Sequence, residues 1–389
     1  MADASVTSAQ YAACRTANER SSTITSAIMR SKLRTSALIV CAVVFCACGD
    51  DKVRSVNTTP PNVSPPYAQV VAFGDSLSDA GTYNPTTADG DTSNDSATGL
   101  PFTTKPGAPW AVYVAANLGI QLTPNQQVDF GVVGNGGEVI QLGGLDYAEG
   151  GARIDVDGAN GGIVLQTIPG VGSVPVQLAT SRSIRTQIDD YLSEHGNAFS
   201  DDQLILIQGG ANDLFEFLGQ VAANPALAAN ASSVVTTAAT AMITQISRLR
   251  AANATHIVYA NLPDLGKIPQ FSTTALADLA TQLSVSYNNA VKTQLDAWAV
   301  TIFDTSTLFA AVIAMPETYG FTNVTTPACN SDTIPGDPAT LSALICSPST
   351  LVSPNADITH LFADYVHPTA RGHALWADQV TAMQSQVAF

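Results

Sequence analysis

Gln69-Val-Val-Ala-Phe73 runs straight into Gly74-Asp-Ser76, and this stretch governs how the rest of the chain is read. Its apolar run predicts a short strand buried on both faces, the kind found in parallel sheets. The glycine, carboxylate and serine that follow then fall at the carboxyl end of a strand, where parallel sheets carry chemistry. The pattern recurs downstream. Gln203-Leu-Ile-Leu-Ile207 is a continuous apolar run that delivers Gly209-Gly-Ala-Asn212. His256–Ala260 and Val300–Asp304 read as two further strands, the first leaving through the turn Asn261–Gly266. Helices are predicted at Trp110–Leu118, at Arg182–His195 with Ile184, Ile188, Tyr191 and Leu192 on one face, at Pro225–Ala252, near 275–299, and at Arg371–Gln386. Strands alternating with long helices predict an α/β fold, a parallel sheet sandwiched by helices. The Gly- and Val-rich segment 119–180 reads as inserted strands and loops.

The chain has 389 residues, of which 46% are hydrophobic and 12% charged, enough for a sizeable core. A formal net charge of −16 argues against nucleic acid as a partner, because phosphates require a basic footprint. An acidic, lysine-poor surface instead keeps an exported protein soluble. Arg30, Lys32 and Arg34 precede the apolar stretch Ala37–Phe45, too short to span a bilayer and suited to an export signal, with Met29 as its natural start. No internal apolar run long enough to cross a membrane is expected. Ala47-Cys48 resembles the end of a bacterial lipoprotein signal, which makes Cys48 a lipidation site and a membrane tether; ordinary signal cleavage nearby is the alternative. Gly49 after the cysteine favours an outer-membrane lipoprotein over inner-membrane retention, and a secreted or periplasmic protein follows from the alternative. Residues 1–47 thus form a signal region, 48–66 a Pro/Thr-rich tether, and 67–389 the folded domain. With Cys14, Cys41 and Cys46 in the removed segment, Cys329 and Cys346 remain and predict a disulfide.

Ser76 is the candidate nucleophile, although a serine after a strand also commonly caps a helix. Among His195, His256, His360, His367 and His373, the candidate base is His367, because Asp364 three residues earlier can reach its imidazole within one turn. His360 and His373 are the nearest rivals. Gly74-Asp-Ser-Leu-Ser78 lacks the second glycine of a Gly-x-Ser-x-Gly elbow. No glycine-rich segment fits a dinucleotide fingerprint.

Phe73-Gly-Asp-Ser-Leu-Ser-Asp79, Tyr147-Ala-Glu-Gly-Gly-Ala-Arg153, Gly209-Gly-Ala-Asn-Asp213 and Asp364-Tyr-Val-His-Pro368 occur in that order. As a set they resemble the GDSL lipases and esterases, also called SGNH hydrolases, of the secreted bacterial type. The resemblance runs from about Ala68 to the C-terminus. It implies an SGNH-hydrolase-like, flavodoxin-like sheet and a triad of Ser76, Asp364 and His367. It also implies an oxyanion hole from the Ser76 amide, the Gly151 amide, with Gly150 the adjacent alternative, and the Asn212 side chain. Asp75, Asp79 and Asp213 flank these groups and are expected to hold loops by hydrogen bonds; no metal and no cofactor is implied. Asp146 stands where relatives commonly carry asparagine, a change at a supporting position.

The implied function is a serine carboxylester hydrolase, whether esterase, lipase or lysophospholipase, acting as a monomer on an ester or lipid substrate. A lipid acyltransferase, a polysaccharide O-deacetylase and a non-catalytic binding module are the alternatives. Segments 119–180 and 308–356 are expected to shape the pocket, and the disulfide to brace the histidine loop.

Overall fold

β1 (Gln69–Phe73) forms where it was predicted, with Val70 to Phe73 fully buried. The computed structural model describes residues 67–85, 99–132, 139–158, 163–168, 172–177, 181–298, 300–329 and 343–387. The expected signal, tether and Cys48 lie outside the described residues. After β1, β2 (Tyr83–Pro85) leads to α1 (Trp110–Asn117), and the Gly/Val-rich insertion supplies β3 (Gln126–Val132), β4 (Val139–Gln141), β5 (Ile163–Ile168) and β6 (Gly172–Gln177). These strands make a second sheet in the order β2-β3-β6-β5, with β4 on β3. α2 (Ile184–Glu194) follows, capped by the Ser183 side chain and burying Ile184, Ile188 and Tyr191 as the periodicity predicts.

The chain then returns to the first sheet through β7 (Gln203–Gln208), α3 (Ala211–Ala223), α4 (Ala231–Ala251), β8 (His256–Ala260), α5 (Ala277–Ala297) and β9 (Thr301–Phe303). β1, β7, β8 and β9 pair in parallel in that order. All six residues of β7 are buried, the pattern of a strand with helices over both faces. α6 (Thr305–Ala314), β10 (Asn323–Pro327), β11 (His360–Phe362) and α7 (Ala370–Val387) complete the unit, with β10 and β11 paired in parallel. α7 packs on α1 through stacked Trp110 and Trp376 rings, 4.8 Å between centroids. The parallel sheet flanked by helices is the fold class expected from the sequence.

Several elements depart from the sequence reading. α3 and α6 were not predicted. The helix expected from Pro225 opens instead as a 3₁₀ segment, Pro225–Asn230, before α4. The stretch Pro225–Ala251 is also, among the described residues, the one long and apolar enough by length and composition to cross a membrane, contrary to expectation. Its character has a local cause: an Ala/Ser/Thr-rich helix carries few charges, while Val235, Met242, Ile246 and Leu249 are buried in the core beneath it.

Cys329 and Cys346 are disulfide-bonded, 17 residues apart in sequence. The bridge lies beside the loop that follows β11 and carries Asp364: the Cys329 N–H donates to the Ala363 carbonyl at 3.1 Å, and both cysteines are buried with Ala343 and Ala363. Closing a loop of this length contributes about 3 kcal/mol in the chain-entropy account. Cys329→Ser is therefore expected to lower the melting temperature by several degrees. Thermal unfolding followed by circular dichroism checks this, and an unchanged melting point would mean the bridge braces nothing.

Candidate active site

Two strand ends bring the motifs together. The β1–β7 register sets Phe73 opposite Ile207, so Gly74-Asp-Ser76 and Gly209-Gly-Ala-Asn212 leave the sheet side by side. The Gln187 side chain, from α2, accepts from the Gly74 N–H at 2.9 Å and donates to the Gly74 carbonyl at 2.8 Å. This brace was not anticipated, although a glutamine between Ile184, Ile188 and Tyr191 on an apolar helix face was the signal for it. Asp75 to Ser78 form a turn, closed by the Ser78 N–H donating to the Asp75 carbonyl at 2.9 Å, so Ser76 caps no helix.

The second motif runs alongside β1. The Tyr147 N–H donates to the Ala72 carbonyl at 2.9 Å and the Glu149 N–H to the Gly74 carbonyl at 3.1 Å. Buried Glu149 accepts from Arg182 at 2.6 Å and from Gln126 at 2.6 Å. Burial raises its pKa to about 7 against the pull of Arg182.

Gly150 is consumed in holding this loop. Its N–H donates to Asp79 Oδ2 at 3.0 Å, and its carbonyl accepts from the Tyr83 and Ser181 hydroxyls, each at 2.9 Å. Gly151 is different. It has φ +73°, where a side chain is strained, and its N–H has no acceptor among the described residues. The Ser76 N–H likewise has none. Asn212 sits in the first turn of α3, reached through Gly210 at φ +108°, and its Nδ2 donates to the Ala152 carbonyl at 3.0 Å, leaving its second amide hydrogen uncommitted.

His367 and Asp364 come from the loop after β11. The Ser76 hydroxyl donates to His367 Nε2 at 2.8 Å, and His367 Nδ1 donates to Asp364 Oδ2 at 2.7 Å. A carboxylate only accepts, so it keeps the imidazole proton on Nδ1 and the Nε2 lone pair toward Ser76. Asp364 also accepts from the N–H groups of Val366 at 2.8 Å, His367 at 2.6 Å and Ala343 at 2.8 Å. Burial would raise this carboxyl, but the His367 charge and these N–H donors outweigh it and hold it below the ordinary carboxylate range.

The rival histidines lie elsewhere. His360 is in β11 beside Thr359. His373 is buried on α7 and accepts from the Trp110 N–H at 3.2 Å, and burial lowers its pKa to about 3.

Three flanking acids do hold loops. Asp75 Oδ1 accepts from the Leu77 N–H, Asp79 Oδ1 from the Gly81 and Thr82 N–H groups, and Asp213 from the Ile154 N–H. Burial raises Asp75 to about 7, Asp79 to about 6 and Asp213 to about 6. Asp146, at the variant position, does similar work, accepting from Ala148 and Ala80.

Ser76, Gly151, Asn212 and His367 line one cavity of about 230 Å³. Its remaining walls include Phe102, Phe215, Leu77 and Val366. Among the described residues, segment 119–180 contributes Gly151 to it; residues 133–138, 159–162, 169–171, 178–180 and 330–342 of the two segments expected to shape the pocket lie outside the described residues. The described walls come from the loop before α1 through Phe102, from α3 through Ala211 and Phe215, and from the motif loops through Leu77 and Val366; only Phe102 and Phe215 lie outside the four motifs. A larger cavity, of about 1240 Å³, lies at the amino ends of β8 and β9 and contains none of these groups.

The family model for GDSL-like lipase/acylhydrolase matches residues 70–380. No curated protein matches. Similar solved structures include a carbohydrate acetylesterase from Sinorhizobium meliloti, 12% identical over 82% of this chain and 99% of that one, with a TM-score of 0.38. A phospholipase A1 from Streptomyces albidoflavus NA297 is 12% identical over 82% and 99%, TM-score 0.40. An extracellular lipase from Streptomyces rimosus is 15% identical over 81% and 98%, TM-score 0.39. With a family match running from β1 into α7, the chain belongs to the GDSL-like lipase/acylhydrolases and is a carboxylic ester hydrolase.

Proposed function

We propose that the chain hydrolyses carboxylic esters through an acyl-enzyme on Ser76. The observation that carries this is the continuous Ser76–His367–Asp364 hydrogen-bond chain, at 2.8 and 2.7 Å, opening into the cavity. In the reading, His367 Nε2 takes the Ser76 proton as Oγ attacks the ester carbonyl carbon. The carbonyl oxygen becomes an oxyanion, met by the Ser76 and Gly151 N–H groups and by Asn212 Nδ2. Asp364 stabilises the imidazolium, which protonates the departing alkoxide. Water then repeats the sequence on the acyl-enzyme, and Ser76 regains its proton as the acid leaves.

The test is hydrolysis of p-nitrophenyl esters of graded chain length and of a lysophospholipid, with mass spectrometry of the chain after a fluorophosphonate. Turnover together with the adduct on the Ser76 peptide supports the reading; turnover without labelling there removes Ser76 from it. An acyltransferase would reveal itself by ester formation to an added alcohol exceeding hydrolysis, and an O-deacetylase by acetate release from acetylated polysaccharide. Asn212→Ala is expected to lower kcat about 10²- to 10³-fold with KM little changed, since its amide acts on charge that exists only in the transition state. Steady-state kinetics on p-nitrophenyl butyrate checks it, and a change confined to KM would take Asn212 out of the hole.

The same reading takes the chain as exported, supported by the buried disulfide, which suits an oxidising compartment. Cys48 remains its proposed lipid anchor, testable by fatty-acid labelling of wild type beside Cys48→Ser.

A further inference from the structure

The loop Pro101–Gly107 grips the His367–Asp364 pair from two sides, and Lys105 is at its centre. The Phe102 ring lies against the His367 imidazole, 5.1 Å between centroids with planes at 30°. The Thr103 hydroxyl donates to the Pro368 carbonyl at 3.0 Å, and the Ala370 N–H donates to the Thr104 hydroxyl at 2.9 Å, so the loop is stitched to the chain just after His367. On the other side, the Lys105 N–H donates to the Cys346 carbonyl at 3.0 Å.

The Lys105 ammonium completes the pattern in an unusual way. It is largely withdrawn from water, and its bonds are to backbone carbonyls: Pro101, Thr103 at 3.0 Å and Ala343 at 3.4 Å. No carboxylate accepts from it among the described residues. Withdrawing an ammonium from water without an anion is costly, and an aliphatic side chain would fill the same space more cheaply. Burial lowers its pKa to about 7, with only the more distant Asp79 charge opposing. What the ammonium does, and an aliphatic group cannot, is join two segments. Two of its carbonyls curl the loop that presents Phe102. The third belongs to Ala343, whose own N–H donates at 2.8 Å to Asp364 Oδ2, the oxygen that also bonds His367 Nδ1.

We infer that Lys105 is a positioning residue for the acid–base pair, tying the loop that orients the His367 ring to the segment that orients the Asp364 carboxylate. The inference rests on the reading of Ser76, His367 and Asp364 as the reacting groups. Its effect passes through those groups, so it should appear in rate rather than in binding or in the fraction of folded sites.

The test compares full-length wild type, Lys105→Met and Lys105→Gln. Two quantities are read: the stoichiometry and rate constant of fluorophosphonate labelling at Ser76, and kcat and KM on p-nitrophenyl butyrate. Lys105→Met is expected to label every site, but about 10- to 100-fold more slowly, with kcat falling in parallel and KM within about twofold. Lys105→Gln, which keeps N–H donors on a shorter stem, should recover part of the loss. Should the methionine variant not fold, the glutamine variant is judged alone by the same split. Wild-type rate constants in a folded variant, or a loss of labelled sites with the rate constant unchanged, would overturn the inference and leave Lys105 a scaffold residue. A wild-type chain that never labels at Ser76 would instead sink the reading on which it rests.

Discussion

Ser76→Ala is expected to lower kcat on p-nitrophenyl butyrate by about 10⁴- to 10⁶-fold while leaving KM within a few-fold. On the proposed mechanism the loss is large because the hydroxyl takes up the acyl chain, with His367 Nε2 2.8 Å away to receive its proton. It should not be complete. Gly151 and Asn212 remain in place, and such a hole with bound substrate still accelerates hydrolysis by about 10³-fold over water. The fold should be indifferent: among the described residues, the Ser76 hydroxyl bonds only His367, and the turn that carries it is held by backbone and Asp75 contacts. Steady-state kinetics beside a thermal melt separates these effects. Equal rates in the two proteins would eliminate the acyl-enzyme, and a large drop in melting temperature would make the kinetic loss uninformative about chemistry.

Asp364→Asn is expected to cost about 10⁴-fold in kcat. All acceptor positions of this carboxylate face N–H donors: Val366 and His367 backbone on Oδ1, Ala343 backbone and His367 Nδ1 on Oδ2. An asparagine must turn its NH₂ toward one of these pairs. Turned toward Nδ1, it drives the imidazole proton onto Nε2, where it blocks transfer from Ser76. Turned the other way, it sets a donor against two backbone N–H groups and loosens the loop. Asp364→Ala is the useful companion, since it loses charge without imposing the wrong tautomer.

Both variants also bear on stability. A carboxyl held below its ordinary range contributes stability that is present above that range and is lost as pH falls through its folded value. Wild type should therefore lose an acid-side increment of stability that both variants lack. Urea unfolding at pH 7 and at pH 3 to 4 checks the sign. A stability difference between wild type and variants that does not shrink on acidification would contradict the charge argument.

The parts of the fold legible in the sequence are those where one local pattern has one reading. β1, β7 and β8 contain runs of buried apolar residues, aliphatic apart from Phe73 and Tyr259. α2 shows its face through Ile184, Ile188 and Tyr191. α3 was missed because Gly209-Gly210 precedes it and Asn212-Asp213 opens it, residues that by themselves predict a loop. Only the packing of Leu214, Phe217, Leu218 and Val221 into the core makes that segment helical. The insertion between α1 and α2 was read correctly as strands and loops, yet its pairing could not be read, since strand order depends on contacts remote in sequence.

For the site, the residue types and their order along the chain were determined by the sequence alone: a serine after a strand, an Asp-x-x-His near the end, glycines and an asparagine between. Chemistry of that kind depends on functional groups, and a sequence states functional groups directly. What only the tertiary structure decided is which amide is free and which is spent. Gly150 and Gly151 are identical in sequence terms, but the first gives its N–H to Asp79 and the second keeps its own beside the cavity. The tertiary structure likewise decided that Phe102 and Phe215 form the walls, and that Lys105 lies among carbonyls rather than in water. Hydrogen-bond accounting and burial are properties of chain segments brought together from far apart, 291 positions for Ser76 and His367, and no local pattern encodes them.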